Sequence, residues 1–327
     1  MLNVFQPSLG DEELEAVRRV FVSNWVGKGR VTAQFEQAFA AFCGVSAQHM
    51  RSISCATEGL FQAMTLLNIG PGDEVVLPTL SFVGAANAVL AAGARPVFCD
   101  VDPRTLNATA ADIEVCLGPR TRAVLLLHYG GVPCRMEEIL ALLASRPIAL
   151  IEDSACSVAS TWQGRACGTL GDIGIWSFDA MKILVTGDGG MVYCRNPEMS
   201  TRLEKLVYLG LEQPSGYTQA MTVTDDEGKP PSALPQRPWW AFEVTEPGRR
   251  AIMNDIAAAI GLVQLRRLPA FIARRRRIHA IYNEALADVA WLQLPPSLPP
   301  DCESSYYFYW VQCAEHLRDA LAWHLRR

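Results

Sequence analysis

Lys182 sits in the stretch SFDAMKILVTGDGG, residues 177–190, among Phe178, Met181, Ile183, Leu184 and Val185 and just before a glycine-rich turn. An ammonium is strongly hydrated. Among apolar neighbours it either snorkels to water from the end of a strand or has its pKa lowered by desolvation, which makes it a nucleophile. Asp153 closes the apolar run IALIED, which puts its carboxylate at the carboxyl edge of a sheet. It either caps the next turn or serves a ligand in the crevice. Lys182 follows a second strand-like run, IGIWSF, so the two side chains can converge. A lysine able to form a Schiff base and a carboxylate able to keep a pyridine nitrogen protonated are the pair that pyridoxal phosphate chemistry requires.

A phosphate needs donors, and a helix N-terminus supplies free N–H groups and the positive end of its dipole. SCATEGLFQAM offers such a start, with small residues through Ala56, a hydroxyl at Thr57 and a helix from Glu58. An ordinary threonine cap would look the same. Ser177 can add a second hydroxyl. Phe82, after the run EVVLP, is placed either to stack on a planar ring or to fill core.

These residues need a scaffold, and the pattern supplies one. Helical stretches (EGLFQAMTLLNI, VGAANAVLAAG, ADIEVCLG, MEEILALLASR) alternate with short apolar runs (EVVLP, PVFCDV, AVLLLHY, IALIED, IGIWSF, GMVYCR) over about residues 55–195. That alternation predicts an α/β fold on a largely parallel, buried sheet. Residues 213–240 are rich in Pro, Gly and Asp without periodicity, which suggests a functional or interface loop. Two helical segments are expected next, GRRAIMNDIAAAIGLVQLRRL and FIARRRRIHAIYNEAL, then strand-like WLQL and YYFYWVQC and a last helix, EHLRDALAWHL.

The formal net charge of −5 disfavours general nucleic-acid affinity. The four arginines 274–277 would splay around a helix rather than form one patch. The longest apolar run, residues 82–94, falls short of the roughly 20 residues of a membrane span, and the N-terminus lacks export features. Ten scattered cysteines, with no CxxC and no zinc-ligand spacing, fit a reducing cytoplasm and no metal.

Taken in order, FQPSLGDEELEAV, GPGDEVVLPTLSFVGAANAVLAAGARPVFCDVDPRTLN, HYGG, IEDSACSVASTWQGRACGTLGDIGIWSFDAMK, GDGG and MNDIAAAIGLVQL resemble the sugar aminotransferases of the DegT/StrS group. The resemblance implies a fold-type I pyridoxal-phosphate enzyme. It implies a large cofactor domain over 1–249, with a helical and incomplete small α+β domain over 250–327. By the same resemblance Lys182 matches the Schiff-base lysine and Asp153 the partner of the pyridine nitrogen. Ala56, Thr57, Glu58 (through its backbone N–H) and Ser177 match the phosphate site, and Phe82 the stacking aromatic. Cys156 stands where Gln or His usually meets the second ring face. Arg250 stands where an asparagine usually reaches the partner subunit's cofactor. A homodimer with shared active sites is implied, with glutamate as donor and a nucleotide-linked keto sugar as acceptor, for glycan, lipopolysaccharide or antibiotic synthesis. A cyclitol ketone remains open as acceptor. Members that dehydrate the sugar carry histidine in place of the lysine. The family continues past the RDALAWHL-like helix, which raises the alternative of a catalytically impaired binding or regulatory protein whose aromatic residues 306–310 lack cover.

Overall fold

The structure is a computed structural model and describes residues 5–211 and 243–325. Helices α1 (Asp11–Val22) and α2 (Arg30–Phe42) precede β1 (Met50–Ile53) and α3 (Ala56–Leu66). Then come β2 (Glu74–Pro78), α4 (Val83–Ala91), β3 (Arg95–Cys99), α5 (Ala110–Glu114), β4 (Thr121–Leu127), α6 (Met136–Leu143) and β5 (Ala149–Asp153). A short hairpin, β6 (Thr161–Trp162) and β7 (Arg165–Ala166), leads to β8 (Ile173–Ser177), β9 (Gly190–Cys194) and α7 (Pro197–Leu206). After residue 243 follow α8 (Asp255–Leu286), β10 (Cys302–Glu303) and α9 (Glu315–Leu325). The loop expected over 213–240 lies outside the described residues.

Seven strands form one sheet in the order β1-β9-β8-β5-β4-β2-β3. Its pairs are parallel from β3 to β8, while β9 runs antiparallel to both β8 and β1. Side chains alternate along each strand. Val75, Leu77, Leu125, Ile151, Ile175 and Val192 therefore pack with α3, α4 and α7 on one face. On the other face, Val76, Val124, Leu126 and Leu150 meet α5 and α6, while Met50, Trp176 and Met191 meet α2 and α8. The result is a three-layer α/β/α unit, as the alternating pattern predicts.

The C-terminal third departs from expectation in two places. The two helical segments are one 32-residue helix that runs through Pro269. Proline costs an interior helix about 3 kcal/mol. Burial offsets that cost: Ala259 and Val263 pack on Ala16 and Val20 of α1, while Leu265 and Leu268 join Phe35 and Phe39 of α2. By length and hydropathy α8 could cross a bilayer, yet 44% of its most apolar window is buried inside the fold. The strand-like runs WLQL and YYFYWVQC are not strands: they meet only at an isolated bridge between Gln293 and Gln312. The N–H groups of Tyr307 and Phe308 instead share the carbonyl of Gly130. Aromatic, β-rich composition gave the strand reading, and a loop carbonyl supersedes it.

Candidate active site

Alternation also gathers the polar residues. Ile151 and Asp153 of β5, Ile175 and Ser177 of β8, and Leu127 of β4 share the α3 face, and their last members stand at the carboxyl edge. There they open into a cavity of about 510 Å³ lined also by Ala56, Thr57, Phe82, Cys156 and Lys182. Of the expected site residues, this brings seven together. Glu58 and Arg250 are not among the lining side chains.

Asp153 is 3% exposed. Its Oδ1 accepts the Ala155 N–H at 3.0 Å, and Oδ2 has no protein donor among the described residues. Burial pushes its carboxyl above the usual range, against the pull of the Ala155 N–H, Lys182 and His128. A cationic ring N–H facing Oδ2 would reverse that shift.

Lys182 is held by the loop between β8 and β9. Phe178 N–H bonds Gly189 O at 2.9 Å, Thr186 N–H bonds Phe178 O at 2.8 Å, and Lys182 N–H closes a turn on Asp179 O at 2.9 Å. Ile183 and Leu184 anchor this loop in the cluster of Phe35, Phe39 and Trp176, so the lysine stem is fixed by its neighbours' burial. Its amine does not follow the expected downward shift. Burial lowers it, but Cys156, Tyr307 and Asp153 outweigh burial and hold it above the ordinary lysine value. Burial pushes the Cys156 thiol up to about 12, and the residue lines the cavity.

The phosphate cradle is the start of α3. Cys55 caps it without a side-chain bond, and the first intrahelical bond runs from Gly59 N–H to Cys55 O. The N–H groups of Ala56, Thr57 and Glu58 therefore have no helical acceptor. The Glu58 side chain turns away to Gln62 at 2.8 Å and Arg249 at 3.2 Å, which leaves its backbone as the part that can serve a phosphate. A Cβ at Gly190 would collide with the Ala56 nitrogen and the Trp176 carbonyl, so glycine in GDGG lets β9 pass behind the cradle. Free amides and the Thr57 and Ser177 hydroxyls at one end, an under-bonded buried carboxylate in the floor, and Lys182 and Phe82 at the walls fit pyridoxal phosphate.

Arg250 does not line this cavity. It bridges to Tyr208, and its guanidinium lies 4.9 Å from the centre of that ring. Sequence reasoning missed Tyr129, Asp179, Asp188 and Tyr307, which also line the cavity. Asp188 lies inside the quoted GDGG, and a polar residue so near Lys182 was the available signal. The expectation that residues 306–310 lack cover is corrected in part: Tyr307 is buried, and the other four are half-buried. Tyr307 is 8% exposed. It stacks on Phe5, Phe308 and Trp310 pack on Tyr129, and Tyr306 and Tyr309 meet His279 of α8.

Comparison with known proteins agrees with this geometry. The profile of the DegT/DnrJ/EryC1/StrS aminotransferase family matches residues 7–327. A dTDP-4-dehydro-2,3,6-trideoxy-D-glucose 4-aminotransferase of Saccharopolyspora spinosa is 51% identical over 322 residues, 98% of this chain and 80% of that protein. The crystal structure of the aminotransferase TlmJ from Streptoalloteichus hindustanus superposes with a TM-score of 0.90 at 55% identity, covering 100% of this chain and 82% of that one. The fold is shared as well by the PLP-form of a sugar aminotransferase from Streptococcus pneumoniae, at TM-score 0.84 and 22% identity, over 99% of this chain and 82% of that one. The chain belongs to the DegT/DnrJ/EryC1/StrS family: it is a fold-type I sugar aminotransferase whose cofactor is pyridoxal phosphate.

Proposed function

We propose that this aminotransferase takes an amino group from glutamate and places it on the ketone of a nucleotide-linked deoxy sugar, at carbon 4. The observation that carries the reading is the convergence of Lys182, Asp153 and the open N-terminus of α3 on one cavity. The sugar and the carbon are supported by the 51% identical relative, whose name specifies a dTDP-linked 4-keto sugar. The cofactor, when bound, supplies an electron sink for the carbanion formed at the donor's Cα.

The residues divide the work. Asp153 would keep the ring nitrogen protonated. Thr57, Ser177 and the amides of Ala56, Thr57 and Glu58 would hold the phosphate, and Phe82 and Cys156 would supply apolar walls for the ring. Lys182 would hold the cofactor through its amine. When free, the same amine would take the donor's Cα proton and return it, one atom serving as base and acid. We further propose a homodimer in which Arg250 reaches the neighbour's cofactor phosphate. The setting is a cytoplasm, consistent with ten free cysteines, and the amino sugar feeds a surface glycan, lipopolysaccharide included, or an antibiotic.

The test is the purified protein with pyridoxal phosphate, glutamate and a panel of nucleotide-linked 3-keto and 4-keto sugars. Conversion of glutamate to its keto acid with amination of a 4-keto sugar is expected, and Lys182→Ala should abolish both. Wild-type turnover in Lys182→Ala would overturn the assignment. Mixing Lys182→Ala with Arg250→Ala subunits tests the shared site, because hybrids recover activity only if the Arg250 contact is made in trans.

A further inference from the structure

The hydroxyl of Tyr307 lies 3.4 Å from Lys182 Nζ and donates its own proton to the Met181 carbonyl at 3.3 Å. With that proton committed, the oxygen can only accept from the lysine. Nζ also lies 5.0 Å from the centre of the Tyr307 ring, within cation–π range. The tyrosine is itself braced. Its N–H bonds Gly130 O at 3.0 Å, and Arg275 of α8 donates to the carbonyls of Tyr306 and Tyr307 at 3.1 Å each. Gly130 and Gly131 make this seat possible, since both hold positive φ and a Cβ on Gly131 would meet Ser305 Oγ.

From these contacts we infer that Tyr307 is the positioning residue for Lys182, holding its free amine over the cavity while it is detached from cofactor, with Arg275 setting the tyrosine in place from α8. The inference rests on the reading of Lys182 given above. A released lysine regains rotamer freedom, and each conformer that swings out is lost to proton transfer. A fixed acceptor and ring face bias it back. Tyr307 cannot act as the base, because burial raises its own hydroxyl above the ordinary phenol value despite the opposing pull of Lys182. The groups facing Nζ are Cys156 and Asp153 from the β5 side and Tyr307 from the C-terminal segment. Asp179 and Asp188 of its own loop line the same cavity, and Arg275 faces Tyr307 from α8. Because the Tyr307 hydroxyl favours the charged lysine, its removal makes the amine lose its proton at lower pH.

Tyr307→Phe keeps the ring and deletes the hydroxyl. In the full chain without cofactor, the pH midpoint for reductive methylation of Lys182, followed by mass spectrometry, should move down in the variant. In the loaded enzyme, exchange of the glutamate Cα proton with deuterated water should slow roughly threefold to tenfold, the scale of one hydrogen bond. Cofactor attachment and the glutamate KM should be retained, and Tyr307→Leu, which also loses the ring, should be slower still. An unchanged midpoint together with an unchanged exchange rate in Tyr307→Phe overturns the inference. Cofactor attached elsewhere than Lys182 in wild type overturns the functional reading instead, and the methylation midpoint still decides the Tyr307 contact.

Discussion

Glu152 and Asp153 are consecutive residues of β5, and the pleat sends them to opposite faces of the sheet. Both are buried, at 0% and 3% exposure. Glu152 accepts N–H bonds from Gly168 at 2.8 Å, Leu170 at 2.7 Å and Gly171. It also takes the Nε2–H of His128 at 3.0 Å, a ring whose Nδ1 accepts the Cys134 N–H. Among the described residues the Asp153 carboxylate accepts one bond, from Ala155. Removing a carboxylate from water costs several kcal/mol unless its lone pairs are filled. On one face the fold fills them; on the other it leaves them for a ligand. Burial alone therefore does not mark a working acid, whereas burial with an unfilled lone pair on a cavity wall does.

The contrast can be broken by mutation. Glu152→Ala should have the largest effect, about 3–5 kcal/mol of lost stability, because it strands three amides and an imidazole. Denaturant unfolding would show it, and wild-type stability would mean that the network contributes little. Asp153→Asn should leave the fold intact and lower turnover on the order of 10²–10³-fold, the scale for losing one preorganised electrostatic partner. Undiminished turnover would remove Asp153 from its role.

A pH series sharpens the comparison. The folded-state pKa of Asp153 lies above its unfolded value, so without cofactor the folded chain binds that proton more tightly. Its contribution to stability is fully present below the unfolded pKa and is lost as pH rises through the folded one. The melting temperature of cofactor-free Asp153→Asn, relative to wild type, should therefore climb from about pH 4 upward and then level off. A flat difference would show that burial does not strain this carboxylate. The smallest expected change is in Thr57→Val, which loses one phosphate donor: cofactor binding should weaken roughly threefold to tenfold with stability unchanged, as read by titration and melting.

Legibility in the sequence followed the range of the interactions. Asp153 and Lys182 were readable because a strand ends in its last residue and a glycine turn follows the lysine loop, both local facts. The layered sheet was readable for the same reason. β1, the partner of β9, passed unremarked, since MRSI is only four residues long and gains its place from a strand far along the chain. Tyr307 was misread because an aromatic run has strand propensity wherever it lies, and the Gly130 carbonyl that captures it is distant in sequence. Arg275 hid among four arginines. Its helical spacing from buried Leu268 and half-buried Phe271 and Ile272 was the clue that it points inward while its neighbours do not.

Asp255 opens α8, and its carboxylate caps the start of α2 by accepting from Gly29 at 2.8 Å, Thr32 N–H at 2.9 Å and the Thr32 hydroxyl at 2.6 Å. The two partners are 226 residues apart for Gly29. A ribosome adds about 5–20 residues each second, so a nascent α2 waits roughly 10–45 s for its cap and for the Leu265 and Leu268 side chains that share a cluster with Phe35 and Phe39. During that interval an apolar surface and a row of bare amides stand open to chaperones and to neighbouring chains. The first helices made are thus among the last to be finished, and completion of the α/β/α unit is timed by translation of α8.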